Sequence, residues 1–350
     1  MIKVAMVIPN WGKECGVAEY TKQLVNGIND QIINVKIITN LSRLQPINLK
    51  YAGIDMVHFQ YEYSMYNIHE LKNAMKILMS LKIPIITTVH SWSHEMKHHN
   101  NLISFFSTCI IVHSNQFKKI CIKDGVSKNK LVVIPMGCPD ISINKPLNFS
   151  PKNPPGYPRI GFFGFPFPNK GISQLIEAIK ELNEVFFPEI EGHFFSHLPN
   201  SIEKTHSAIP YQNELENKFK QFNYLYWHKE YLPQQSLVES FQGMDVFVLP
   251  YIQYGSVGIS SAVKFLFNAE KPIITTESLQ FSDLTNEVYK ISNSEPSFIA
   301  NAIYDVLTNE NLRNQLVMNA SSFKRINSWK SISNHYCVLY LQLKSISKKI

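Results

Sequence analysis

Arg159-Ile160-Gly161-Phe162-Phe163-Gly164-Phe165-Pro166-Phe167-Pro168-Asn169-Lys170-Gly171-Ile172 reads as a β-strand, a loop of glycine and proline, and the opening of a helix. The strand is short and apolar, and Gly164 with Pro166 and Pro168 ends it. From Ile172 to Val185 apolar residues recur at helical spacing. The position of the stretch makes it decisive. Immediately upstream, residues 141–158 hold Pro146, Pro151, Pro154, Pro155 and Pro158, with few residues able to form a core face. That is the composition of an interdomain linker, so the alternation of strand and helix stops there and starts afresh at Arg159.

Working outward, the same alternation fills both flanks. Upstream, β-branched apolar runs at Ile2 to Ile8, Asn34 to Thr39, Met56 to Gln60, Ile83 to Val89, Cys109 to His113 and Leu131 to Ile134 read as strands. Val17 to Gly27, His69 to Leu81 and Asn115 to Asp124 read as helices between them, the last closed by Gly125. Downstream, Gly192 to Phe195, Tyr224 to Trp227, Asp245 to Leu249 and Ile273 to Thr276 read as strands, with helices at Leu237 to Gln242 and Ile259 to Ala269. The tail from Pro296 to Lys348 reads as helical throughout, without a strand-like run. Strands alternating with amphipathic helices predict parallel sheets with crossover helices. The expected organisation is a Rossmann-like domain over 1–140, the linker 141–158, a second Rossmann-like domain over 159–325 and a helical segment 326–350. The 350 residues suit two cores better than one. Two such domains place ligands at the carboxyl ends of their strands, in a cleft that both face.

Bulk properties narrow the function classes. Apolar residues make up 45% and charged residues 17%, the balance of a packed globular protein. The five cysteines, Cys15, Cys109, Cys121, Cys138 and Cys337, lack paired spacing, which points to a reducing, cytoplasmic setting. The apolar run from Met1 to Pro9 is too short and wrongly flanked for a signal peptide, and no run approaches a membrane span. A net charge of +7 suits an anionic partner, but the lysines are dispersed and not interleaved with aromatics, which argues against nucleic acid.

Anion chemistry is legible in three turns. Asn10-Trp11-Gly12-Lys13-Glu14-Cys15-Gly16-Val17-Ala18 follows the first strand and opens a helix, where free N–H groups suit an anion. Its spacing is neither GxGxxG nor a P-loop, and a plain tight turn explains the glycines equally well. Lys170 stands at a helix entry beside Gly171, where an ammonium is placed to stabilise a departing diphosphate; a solvated surface lysine is the alternative. Leu249-Pro250-Tyr251-Ile252-Gln253-Tyr254-Gly255-Ser256-Val257-Gly258-Ile259-Ser260-Ser261-Ala262 runs from a buried strand through small residues into a helix, a second approach for phosphate to backbone donors. Ordinary capping by Ser and Gly accounts for it as well. His58 and His90 stand at strand ends, placed either to face a ligand or to hydrogen-bond within the fold.

One motif points elsewhere. His94-Glu95-Met96-Lys97-His98 matches HExxH, in which a helix presents both histidines to zinc and the glutamate activates water. The segment follows directly on a parallel strand and lacks the apolar face that would bury a zinc-protease helix, so a chance match is preferred and no metal site is expected.

Taken in order, these segments resemble the retaining GT-B glycosyltransferases of family four, the group-one glycosyltransferases. The resemblance spans nearly the whole chain: the Gly12 to Gly16 turn, His58 to Glu62, Thr88-Val89-His90, Val112-His113-Ser114, Val133 to Gly137, Gly161 to Gly171, Tyr231-Leu232-Pro233, Met244 to Pro250 and Lys271 to Ile274. The segment from Trp329 to Leu343 looks like the family's closing helix, which returns to the first domain. The resemblance implies a UDP- or GDP-linked hexose as donor, no cofactor and no metal, transfer with retention, and His90 and Lys170 as the catalytic pair. Donor contacts are implied for Gly16, Gly164, Phe165, Lys170, Tyr231, Leu232, Ser260, Ser261, Ala262 and Lys264. Acceptor contacts are implied for Trp11, Gln60, Glu62, His90 and Trp92. The acceptor would be a glycan, a glycolipid or a natural product, and a lipid-linked acceptor leaves peripheral membrane contact open. Two departures stand out. The family commonly carries an Arg shortly before its lysine, where this chain has Phe165-Pro166-Phe167-Pro168, so Lys264 or Lys13 would have to substitute. The family's two acids, seven apart, are replaced by Val257 and Phe265. A catalytically silent GT-B protein that binds a glycan or steadies a partner is the alternative those departures allow.

Overall fold

The computed structural model describes residues 1–141, 157–198, 208–253 and 255–347. The linker expected over 141–158 lies outside them except for Ile141, Tyr157 and Pro158, as do Tyr254 and the end of the tail at Lys348. The chain divides into two compact units, one of Met1–Gly137, Gly255–Ile259 and Asn327–Ile350, the other of Cys138–Tyr254 and Ser260–Ile326.

In the first unit the order runs β1 (Ile2–Val7), α1 (Gly16–Gly27), β2 (Ile33–Ile38), α2 (Pro46–Ala52), β3 (Met56–Tyr61), α3 (Ile68–Ser80), β4 (Ile85–Val89), β5 (Ser91–Ser93), α4 (Lys97–Phe106), β6 (Cys109–Val112), α5 (Asn115–Lys123) and β7 (Leu131–Val133). The second unit continues with β8 (Arg159–Phe163), α6 (Ile172–Val185), β9 (Glu191–Phe195), α7 (Ala208–Phe219), β10 (Leu225–His228), α8 (Gln234–Phe241) and β11 (Val246–Leu249). Next comes β12 (Ser256–Gly258), which belongs to the first unit, then α9 (Ser261–Leu266), β13 (Ile273–Thr276), β14 (Tyr289–Ile291), α10 (Pro296–Thr308) and α11 (Glu310–Ile326). Finally α12 (Trp329–Ser347) returns to the first unit.

Both main sheets are parallel throughout, in the orders β2-β1-β3-β4-β6-β7 and β10-β9-β8-β11-β13-β14. The inner strands β3, β4, β6 and β11 are buried along every residue, because crossover helices cover both faces. That is why they read as continuous apolar runs. Strand order reverses beside β1 in the first sheet and beside β8 in the second, and at such switch points the loops diverge and leave room for a ligand.

α12 is built into the first unit. Ile332, Tyr336 and Tyr340 are buried in the same core as Val4, Met6, Leu24 and Ile86. Ser333 Oγ donates to the Leu24 carbonyl at 3.0 Å. A Cβ on Gly27 would lie 2.4 Å from Ser333 Oγ, so the glycine permits the close approach of α1 to α12. In the second unit α6 presents Leu175, Ile176, Ile179 and Leu182 to the core.

The sequence reading missed several elements. α2, α4 and α7 carry too many polar residues for a clean periodic pattern, and β14 is short and half-exposed. The expected helix over Ile259 to Ala269 begins only at Ser261, because Val257 and its neighbours form β12, antiparallel to β5. The tail, expected to be helical throughout, is built of α10, α11 and α12.

Candidate functional site

The second unit brings together the loops that follow β8, β11 and β13. Lys170 ends a 3₁₀ turn over Pro168–Lys170. Gly171 follows with φ +68°, and a Cβ there would stand 2.0 Å from the Pro250 carbonyl oxygen, so only glycine fits. Cross-ties then fix the three loops. Ile252 N–H donates to the Asn169 carbonyl at 3.0 Å, Thr276 Oγ1 to the Tyr251 carbonyl at 2.6 Å, Leu279 N–H to Gln253 Oε1 at 2.7 Å, and Ser260 N–H to the Gln280 carbonyl at 2.9 Å.

Within this frame the Lys170 ammonium lies 3.7 Å from the centroid of the Tyr251 ring and donates to Gln280 Oε1 at 3.4 Å. Neither partner carries a negative charge. Burial holds the Lys170 ammonium down to about 7, because removing it from water penalises the charged form. An anion in contact with it would reverse that penalty. Ser260 Oγ donates to the Tyr251 hydroxyl at 3.4 Å. Exposed Ser261 and half-buried Ala262 open α9 beside it. Gly164 adopts φ +147°, and its N–H donates to the Phe195 carbonyl at 3.2 Å. Phe165 meets His197 edge to face at 5.4 Å between ring centres, and His197 meets Tyr231 at 5.1 Å. Tyr231 is 64% exposed, and Leu232 is half-buried beside it in sequence. Of the donor residues expected in this unit, the loops thus hold Lys170 and Ser260 around Tyr251, and Phe165 and Tyr231 on either side of His197.

Lys264 requires a correction. It is 1% exposed and forms an ion pair with Asp283 at 2.8 Å, so its charge is already answered inside the core and it cannot stand in for the missing Arg. Lys13 is exposed on the loop after β1 in the other unit, with Trp11 half-buried nearby. Gly16 is the exposed first residue of α1, whose N-cap Cys15 makes no side-chain capping bond. The positions of the family's two acids are apolar in their packing as well as their identity. Val257 lies in β12 opposite Trp92, and Phe265 meets Phe163 and Phe241 at 5.3 and 6.1 Å.

The first unit holds His90 just beyond β4. Its backbone N–H donates to the Tyr61 carbonyl at 3.0 Å, and its Nε2 lies 2.9 Å from Gln60 Oε1. The Tyr20 ring packs edge-on to the imidazole at 4.7 Å and His113 lies at 5.5 Å. Burial, and secondarily the neighbouring His113 and His58, hold His90 well below the usual histidine range, so it is neutral near pH 7. Glu62 N-caps the turn after β3: its Oε1 accepts from Tyr63 N–H at 3.0 Å and its Oε2 from Ser91 Oγ. Burial raises its carboxyl above the ordinary value despite those bonds.

Two expectations in this unit change. Gln60 is fully buried, because β3 runs one residue beyond the expected end, so it lies under His90 and not at the strand mouth. Trp92 is 1% exposed and donates its Nε1–H to Asp124 Oδ2 at 2.8 Å, which removes it from any acceptor surface. His58 is buried between Thr88 Oγ1 at 2.8 Å and Tyr340 OH at 2.7 Å, the internal hydrogen-bonding role rather than the ligand-facing one. The HExxH match is broken by the fold. His94–Met96 is a 3₁₀ turn, α4 starts only at Lys97, and His94 Nδ1 lies 2.9 Å from Asp124 Oδ1. Among the described residues no group of three or more His, Cys, Asp or Glu is placed to hold a metal ion.

Residues 34–140 match the family model Glycosyltransferase Family 4. Among solved structures, the sucrose-phosphate synthase of Thermosynechococcus elongatus superposes with TM-score 0.74 at 15% identity, covering 99% of this chain and 100% of that one. Anabaena HepE in complex with UDP gives 0.73 at 13% identity over 98% and 100%, and its complex with UDP-glucose gives 0.70 at 13% over the same shares. A glycosyltransferase from Rickettsia africae gives 0.68 at 14% identity over 97% and 98%. The first unit carries the Glycosyltransferase Family 4 match, and the chain has the GT-B fold. The resemblance read from the ordered motifs is thus borne out for the fold, and for the family over residues 34–140. No curated protein matches the chain in sequence.

On the GT-B frame, the residues that the sequence reading missed are Tyr251, Gln280 and His197. Each lies in a loop that leaves the carboxyl end of a strand, β11, β13 or β9. The strand-end rule that singled out His90 would have reached them; their weak motif context hid them.

Proposed function

We propose that this protein is a glycosyltransferase that moves a hexose from a UDP- or GDP-linked donor to a glycan, glycolipid or natural-product acceptor, with retention of configuration and without a metal or other cofactor. The observation that carries the reading is Lys170, a half-buried ammonium held at the second sheet's switch point, whose partners among the described residues are a ring face and an amide oxygen. A diphosphate supplies the charge that those partners lack. As the sugar leaves, negative charge grows on the diphosphate, and an ammonium already desolvated and fixed lowers that barrier without reorganising. The ring face of Tyr231, in line with His197 and Phe165, suits a nucleotide base or ribose. His90, neutral and fixed in the first unit, suits hydrogen bonding to a hydroxyl of the transferred sugar, and no protein nucleophile is needed when the acceptor attacks within an ordered complex. HepE, solved with UDP and with UDP-glucose, supports the choice of donor class by fold.

Among the described residues no helix is long and apolar enough to cross a membrane, and all five cysteines are free thiols. A cytoplasmic enzyme, in peripheral contact with a membrane when its acceptor is lipid-linked, fits this reading. A catalytically silent GT-B protein is the second reading, favoured by the packing of Phe265 where the family's second acid stands.

A thermal-shift panel of UDP, GDP, ADP, dTDP and CMP tests the proposal, since a ligand that binds only the folded state raises the melting temperature. One nucleotide should stabilise the protein, and Lys170→Ala should remove that response. No response from any nucleotide overturns the transferase reading. A response with neither transfer to an acceptor nor slow hydrolysis of the donor sugar favours the silent one.

A further inference from the structure

Beneath His90 lies a set of buried polar side chains drawn from α1, β3, β4 and α12. Their donors and acceptors can be assigned in only one consistent direction. Gln60 Nε2 lies 3.1 Å from Met6 Sδ and 3.4 Å from His58 Nε2. A thioether sulfur has no proton to give, so the amide nitrogen, not the amide oxygen, faces it. The Gln60 carbonyl oxygen is thereby turned to His90 Nε2 at 2.9 Å, and it accepts.

The far side of the set agrees. With the Gln60 N–H directed at His58 Nε2, that nitrogen must be the acceptor of a neutral imidazole. Burial alone keeps His58 neutral, pushed down to about 3. His58 Nδ1–H then donates to Tyr340 OH at 2.7 Å, and Thr88 Oγ1–H donates to His58 Nε2 at 2.8 Å. Thr88, having spent its proton, accepts from Tyr336 OH at 3.5 Å, and Tyr336 in turn accepts from Tyr20 OH at 2.5 Å. Tyr20 closes the circuit by packing its ring edge-on to His90. Turning the Gln60 amide over would set its oxygen against the Met6 sulfur and give His90 the opposite tautomer.

We infer that Gln60 is a positioning residue that, aimed by Met6 and His58, fixes His90 as the Nε2–H tautomer and reserves Nδ1 as the nitrogen that accepts a hydrogen bond from a sugar hydroxyl. The inference deepens the role given to His90 above and rests on it for its catalytic meaning, but not for its structural content. Gln60 and His58 touch no substrate in this scheme. They act through the orientation and protonation of one ring.

The test separates the two layers. Nitrogen-15 spectra of histidine-labelled protein, with the His90 signals assigned through His90→Ala, report which ring nitrogen carries the proton. The wild type should show protonated Nε2 and bare Nδ1. Gln60→Met, of similar volume but without the amide, should give a mixture of tautomers while His58 stays neutral, and Met6→Leu should do so more weakly while leaving the fold intact. In turnover, Gln60→Met should lower kcat by up to about a hundredfold, the scale of a misplaced reacting group, with donor KM little changed. A wild-type spectrum with the proton on Nδ1, or an unchanged His90 tautomer in a folded Gln60→Met, overturns the inference. Full activity in His90→Ala with the expected spectra would instead sink the role of His90 and leave the network assignment standing.

Discussion

The second unit draws two lysines away from bulk water, Lys264 fully and Lys170 in part, and for different ends. Lys264 sits on α9 at 1% exposure with Asp283 at 2.8 Å, and the rings of Phe323 and Phe267 lie at 4.5 and 5.7 Å from its ammonium. Lys170 sits on a loop with a tyrosine ring and an amide oxygen. One charge is cancelled within the fold, whereas the other is left wanting an anion at the point where strand order reverses. The family resemblance offered both as diphosphate contacts. What tells them apart is the partner, and the partner comes from a loop far along the chain.

Substituting the first lysine should break the fold side of this contrast. Lys264→Met strands the buried Asp283 carboxylate and should cost about 3–5 kcal/mol in chemical denaturation, whereas the double variant Lys264→Met/Asp283→Leu should recover most of that loss. A single variant of wild-type stability would show that the pair carries no such weight.

At Lys170 the expectation is inverted. Lys170→Met removes a charge that the empty protein holds at a cost, so thermal stability without ligand should be equal or higher, while turnover should fall by roughly a hundredfold to a thousandfold, as when one preorganised electrostatic contact is removed. A loss of stability comparable to that of Lys264→Met would mean that Lys170 is a structural group.

The pH dependence sharpens the same point. The folded-state value for Lys170, about 7, lies below that of the unfolded chain. The penalty for its burial is therefore fully present below pH 7 and fades as pH rises toward the ordinary lysine range. A nucleotide diphosphate should bind the charged form. Affinity should be greatest below about pH 7 and fall above it by at most about tenfold per pH unit, with proton uptake measurable by calorimetry in buffers of different ionisation enthalpy. Affinity independent of pH between 6 and 9, in units of the scale in which lysine normally titrates near about 10, would remove Lys170 from the contact.

The smallest effect concerns the ring under the ammonium. Tyr251→Phe keeps the ring face and should bind nucleotide almost normally, while Tyr251→Leu should weaken binding by about 0.5–2 kcal/mol. Equal losses in the two variants would assign the effect to the hydroxyl that meets Ser260.

How much of this was legible in the sequence follows from where each signal resides. β3, β4, β6 and β11 are buried on both faces, and that burial writes itself locally as runs of apolar residues; Ile172 to Val185 matched α6 end to end for the same reason. Lys170 and His90 were reachable because a strand end is a local event. Gln280 and Tyr251 were not singled out, since their meaning lies in the ties among three loops that only the sheet order brings together. Trp92 and Gln60 were misplaced by a single missed boundary each, the short β5 and the extra residue of β3. A one-residue shift in a strand end is enough to move a side chain from a mouth to a core.

The first unit is assembled from three separate stretches of chain, and this sets the timetable of its synthesis. A ribosome that has finished β7 has made the whole of the first sheet, yet β12 and the buried faces of Tyr336 and Tyr340 do not yet exist. His58 and Thr88, which meet each other within the sheet, wait for Tyr340 and Tyr336 until α12 emerges, after the second unit has been translated in full. The nascent first unit must therefore persist with an open core and unpaired polar groups for most of translation, a state prone to aggregation and to chaperone binding. Truncation before α12 would make that transient state permanent.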